Sequence, residues 1–137
     1  MSEPAKKKIL GVEDTKNLRD IVTFMLKQRG YDVISAAEGN EGLKKAKTEA
    51  PDLIVLDAML PNITGFDICA NLKADPKYKT IPILMLTAIT QGTDKGDDYW
   101  KLKSRADDFM SKPFKAQVLA ERIEKLLAQS APPASNP

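Results

Sequence analysis

Asp52-Leu53-Ile54-Val55-Leu56-Asp57 reads as a buried strand that carries a carboxylate to its end. An unbroken Leu-Ile-Val-Leu row is too apolar and β-branched for a surface loop, and a continuous apolar run of this length marks a strand covered on both faces. Three other runs end on a reactive group in the same way. Ile9-Leu10-Gly11-Val12 leads into Glu13-Asp14, Pro82-Ile83-Leu84-Met85-Leu86 into Thr87, and Asp108-Phe109-Met110-Ser111 into Lys112. Four strand ends thus offer acid, acid, hydroxyl and ammonium. In open parallel α/β sheets, ligands gather outside the carboxyl ends of the strands. Buried unpaired charge is costly, so carboxylates at adjacent strand ends require a cation or a proton. Hard oxygen donors without His or Cys favour Mg2+ over zinc or copper.

Outward from this strand, short apolar runs alternate with longer amphipathic ones. Lys8 to Val12 is a strand, and Thr15 to Arg29 a helix whose buried stripe is Leu18, Ile21, Val22, Met25 and Leu26. Gly30 stops that helix. Tyr31 to Ala36 is the second strand, and Asn40 to Ala50 a mostly polar helix with Leu43, Ala46 and Ala50 inward. After Asp57, Pro61 and Gly65 mark an ordered loop before the helix Phe66 to Ala74. The strand Pro82 to Thr87 precedes a charged segment, Gln91 to Arg105, which is the weakest helix of the set. Tyr99 and Trp100 lie within it, and both a core and a partner-facing reading stay open. Asp108 to Ser111 is the fifth strand, and Lys115 to Gln129 a helix with Val118, Leu119, Ile123, Leu126 and Leu127 on one face. Five β-α units in strict alternation predict an α/β fold: a five-stranded parallel sheet with helices on both faces. Residues 1–5 and the Pro-rich 130–137 are expected as tails flanking one domain over 6–129.

Composition narrows the function classes. The chain has 137 residues, 42% hydrophobic and 29% charged, with a net charge of +2, enough for one domain and with no field for nucleic acid or membrane. It contains no His, which removes Ser-His-Asp and Cys-His catalysis, His metal ligands and an internal phosphohistidine. The single Cys69 fits helix packing in a reducing cytoplasm. No apolar run reaches the ~20 residues of a membrane span, and Lys6-Lys7-Lys8 reads as a solvated strand entry.

Glu13-Asp14, Asp57 with Pro61 and Gly65, Leu86-Thr87-Ala88, and Ser111-Lys112-Pro113-Phe114 stand in order at strand ends of the right β-α count. Together they resemble the receiver domain of bacterial response regulators over about residues 6 to 129. The resemblance implies a flavodoxin-like sheet with strand order 2-1-3-4-5. It also implies that Asp57 accepts a phosphoryl group from a histidine kinase or phosphotransfer protein, with Mg2+ held by Asp14, Asp57, the Met59 backbone carbonyl and Glu13, directly or through water. Lys112 and Thr87 then engage phosphoryl oxygens, and Thr87 and Phe109 form the switch. Pro113 matches a family position where the preceding peptide bond is usually cis, which leaves the isomer of the Lys112–Pro113 bond open. The resemblance places the output partner on the face of the fourth predicted helix, the fifth strand and the last helix, and leaves a homodimer open.

Met59 and Ile89, two residues after Asp57 and Thr87, are apolar and predict slow loss of the phosphoryl group. Arg105 stands where a Gly commonly precedes Ala-Asp-Asp, so the end of the fourth helix departs from the pattern. Two other readings compete: a phosphorylation-independent pseudo-receiver, and an Asp-nucleophile, Mg-dependent phosphatase of the haloacid-dehalogenase type. The phosphatase needs a second carboxylate two residues after its nucleophile, where Met59 stands. The expectation is a cytoplasmic two-component signalling module, not an enzyme, whose output lies in a partner or a further segment.

Overall fold

The computed structural model describes residues 6–60, 63–87, 106–112 and 114–130. Five parallel strands form one sheet: β1 (Lys8–Val12), β2 (Asp32–Ala36), β3 (Leu53–Asp57), β4 (Ile83–Thr87) and β5 (Asp108–Ser111). Their spatial order is β2-β1-β3-β4-β5, the order expected. Four helices are described: α1 (Lys16–Gln28), α2 (Gly39–Thr48), α3 (Gly65–Lys73) and α4 (Ala116–Ser130). The Gln91–Arg105 helix with Tyr99 and Trp100, Ala88, Ile89, Pro61 and the Lys112–Pro113 bond fall outside the described residues.

Alternation along the central strands explains why their sequences are apolar throughout. Leu10, Ile54, Leu56, Ile83, Met85 and Phe109 pack on one face with Ala46 of α2 and Ile68, Cys69 and Leu72 of α3. Ile9, Leu53, Val55, Leu84, Leu86 and Met110 pack on the other with Val22 and Leu26 of α1 and Leu119, Ile123 and Leu126 of α4. Each residue of a doubly covered parallel strand faces one helical layer or the other, so no position is left for a polar side chain until the strand ends. Cys69 is fully buried, as its neighbours Phe66 and Leu72 imply.

Two side chains depart from the sequence reading. Ile21 was expected in the buried stripe of α1 but is 58% exposed, because Val22 and Leu26 already fill the contact with the sheet and Ile21 sits at the stripe's margin. Ala50 was expected inward on α2. That helix ends at Thr48, and Ala50 lies beyond it, exposed and with φ of 49°, a turn residue leading into β3. Gly30 does end α1, at φ 94°, where a side chain would be strained.

The connection after β3 is fixed at both ends. Thr64 caps α3 through a capping box: the Asp67 N–H donates to Thr64 Oγ1 at 3.1 Å, and the Thr64 N–H donates to Asp67 Oδ2 at 3.3 Å. Gly65 is pressed against the strand end. Its N–H donates to the Ala58 carbonyl at 3.0 Å, and a Cβ there would overlap the Asp57 carbonyl oxygen and stand 2.8 Å from the Ala58 Cα. Only glycine lets α3 start this close to Asp57.

Candidate functional site

The strand order sets β1 and β3 side by side, with Val12 opposite Leu56. The next residues, Glu13 and Asp57, therefore emerge together at the carboxyl edge of the sheet. They are the two buried charged residues among those described, at 6% and 4% exposure. Two buried carboxylates repel unless a cation lies between them, and Lys112, just past β5, supplies one. Its ammonium donates to Glu13 Oε1 and to Asp57 Oδ2, both at 3.0 Å. The remaining carboxylate oxygens take backbone donors: Glu13 Oε2 accepts from the Thr15 N–H at 3.0 Å, and Asp57 Oδ1 from the Met59 N–H at 3.0 Å.

Burial alone would pull the Lys112 ammonium down. The hydrogen bonds and charges of Asp57 and Glu13 outweigh it, and its pKa lies above the ordinary lysine value. The ammonium is thus held charged.

Asp14 completes the cluster. It is exposed, and oxygens of Glu13, Asp14 and Asp57 lie within 4.8 Å of one another. Among the described residues, three carboxylates against one ammonium leave an excess of two negative charges, and the donors are hard oxygens. That donor set fits a divalent cation of the Mg2+ kind. Sequence spacing brought Glu13, Asp14, Asp57 and Lys112 to one edge, and the structure brings them into one cluster. Thr87 ends β4 beside Ser111 of β5, so its backbone borders the same edge. Phe109 lies elsewhere, 3% exposed in the core between the sheet and the layer of α2 and α3.

The family model of the response regulator receiver domain matches residues 9–124. The chain belongs to the response regulator receiver family. It is 44% identical over 124 residues to the alkaline phosphatase synthesis transcriptional regulatory protein PhoP of Bacillus subtilis (strain 168), a match covering 90% of this chain and 50% of that protein. This receiver chain spans about half the length of the curated relatives it matches. Among solved structures it resembles the signal receiver domain of a signal transduction histidine kinase from Syntrophus aciditrophicus, with a TM-score of 0.83 and 32% identity over 96% of this chain and 97% of that one. It also resembles the receiver domain of sensor histidine kinase PA1611 from Pseudomonas aeruginosa PAO1, with a TM-score of 0.79 and 28% identity over 90% and 99% of the two chains. That receiver carries a magnesium ion coordinated in its active-site cleft.

One supporting residue escaped the sequence reading. Arg19, one turn into α1, donates from Nη1 to the Glu13 carbonyl at 2.9 Å and lies 3.5 Å from the Asp14 carbonyl. It ties the acid-bearing turn to the helix that follows. The only sequence signal was a second cation, after Lys16, in the first turn that follows Glu13-Asp14. Among the described residues, no helix is long and apolar enough to cross a membrane.

Proposed function

We propose that Asp57 is the phosphoacceptor of a two-component signalling module and that the acidic cluster holds Mg2+ for the transfer. The observation that carries this reading is the pairing of a buried, strand-end Asp57 with Lys112 at 3.0 Å, inside a cluster whose carboxylates exceed its ammonium by two. Asp14, Asp57 and the Met59 carbonyl would hold the ion, with Glu13 bound directly or through water. Once bound, Mg2+ supplies positive charge to the phosphoryl oxygens, which is most of what this reaction asks of a protein.

The chain's own residues do the rest. Asp57 Oδ attacks phosphorus of a phosphohistidine on a partner kinase or phosphotransfer protein. The phosphorus–nitrogen bond breaks, the imidazole departs and an acyl phosphate remains. The Met59 N–H on Oδ1 fixes the rotation of the carboxylate, so the other oxygen is aimed consistently. Lys112 exchanges a carboxylate oxygen for a phosphoryl oxygen at little cost in geometry, because its ammonium is already charged and already at the site. Thr87 donates its hydroxyl to another phosphoryl oxygen. The movement of the β4 end is read by Phe109, which shares the β4–β5 register. The receiver spans residues 6–129. Its output face includes β5 and α4, where Arg122 of α4 pairs with Asp108 of β5 at 2.9 Å; the fourth helical segment expected there, Gln91–Arg105, lies outside the described residues.

Incubation with acetyl phosphate and Mg2+ tests the reading by intact mass. One stable added phosphoryl group, decaying over minutes to hours because the apolar Met59 and Ile89 cannot orient a water, is the expected outcome. Multiple turnover of phosphomonoesters would point to a phosphatase. Absence of labelling with retained partner binding would point to a pseudo-receiver.

A further inference from the structure

Among the described residues three large apolar side chains stand out in solvent: Ile21, Phe24 and Met59. Met59 is the one whose chemistry can change. Its thioether is 56% exposed, whereas Met85 and Met110 are buried and Met25 is half-buried in the layer of α1 and α4. Peroxides oxidise methionine according to access, so Met59 reacts ahead of these three. It is also tied to the nucleophile, its backbone N–H lying 3.0 Å from Asp57 Oδ1, so its Cα is held at a fixed place beside the carboxylate.

We propose that Met59 is a peroxide-modified site at which conversion to the sulfoxide shortens the lifetime of the phosphorylated state. This rests on the reading of Asp57 as the phosphoacceptor. In the oxidation a sulfur lone pair takes one oxygen from hydrogen peroxide, the O–O bond breaks, and the other oxygen leaves as water. Sulfur is oxidised by two electrons and the peroxide reduced by two. The thioether is a poor hydrogen-bond acceptor that excludes water. The sulfoxide is polar and a strong acceptor, able to hold a water beside the acyl phosphate. One added oxygen replaces a shield with an anchor for the attacking water.

The test treats the whole chain with hydrogen peroxide, maps the oxidised methionines by peptide mass, then phosphorylates with acetyl phosphate and follows decay by intact mass. Met59 is expected to gain oxygen before Met25, Met85 and Met110, and decay is expected to run several-fold faster. Methionine sulfoxide reductase restores the original rate, and the decay rate of Met59→Leu is the same with and without peroxide. Oxidation of Met25 ahead of Met59 would overturn the proposal. So would an unchanged lifetime in Met59-oxidised protein, or an equal peroxide effect in Met59→Leu. Failure of unoxidised protein to label would overturn the proposed function and the lifetime claim together, and is read separately from the peptide map.

Discussion

Two lysine–aspartate pairs sit at opposite edges of the same sheet, and their surroundings differ in charge balance. At the amino edge of β4, Lys73 of α3 donates to Asp107 at 2.7 Å and to the carbonyls of Lys79 and Ile81 at 3.0 Å each. Asp107 Oδ2 also accepts from the Ile83 N–H at 2.7 Å. One positive and one negative charge close that network, and each ammonium proton has an acceptor. At the carboxyl edge Lys112 faces Glu13 and Asp57 together, with Asp14 close by. A balanced pair joins strands and helices. An unbalanced cluster asks for something from outside, and that is the physical distinction between a structural ion pair and a binding site.

The largest separation between the two edges is expected in phosphoryl labelling. Asp57→Asn loses it completely by intact mass, because the amide is no nucleophile, while Lys73→Met keeps it and is only destabilised, by about 1–2 kcal/mol in urea denaturation. Next comes Lys112→Met, which leaves Glu13 and Asp57 buried without their cation. About 3 kcal/mol of stability is expected to be lost in metal-free buffer. Mg2+ then restores more to this variant than it adds to the wild type, since ligand binding stabilises by RT ln(1 + [L]/Kd) and loss of the competing ammonium lowers the Kd for the cation. Equal Mg2+ effects on the two proteins would show that Lys112 and the ion do not serve the same carboxylates.

Gly65→Ala probes how the site is built. The added methyl meets the Asp57 carbonyl and the Ala58 backbone, and about 2 kcal/mol is expected to be lost. The smallest effect is alkaline. The Lys112 pKa lies above its ordinary 10.5 in the fold. Its stabilisation is therefore complete below the unfolded lysine pKa and fades as pH climbs through the folded value. In metal-free buffer the wild type is expected to lose more stability above pH 10.5 than Lys112→Met does.

The fold was legible because doubly covered parallel strands cannot hide: Leu53 to Leu56 and Ile83 to Leu86 are apolar at every position. The acids and lysine were legible because each stands at the end of a strand-like run, Glu13-Asp14 after Val12, Asp57 after Leu56 and Lys112 after Ser111. Helix faces were less so. Ile21 and Val22 are equally apolar neighbours, and only the packing of α1 on the sheet decides that one is exposed and the other buried. The Lys112–Glu13 pair joins residues 99 apart, and no local pattern encodes which of several carboxylates an ammonium reaches. Lys73 with Asp107 was invisible for the same reason. The charge balance that separates the two edges exists only after the chain is folded.

The central claim is that the excess negative charge at the carboxyl edge prepares Asp57 to take a phosphoryl group. Its most direct test is to label the protein with acetyl phosphate, reduce the acyl phosphate with borohydride, which turns the modified aspartate into homoserine, and sequence the peptides. Homoserine at position 57 alone, formed with Mg2+ and absent in EDTA, is the predicted result. Homoserine at Asp14, or labelling of Asp57 that is indifferent to EDTA, would contradict it.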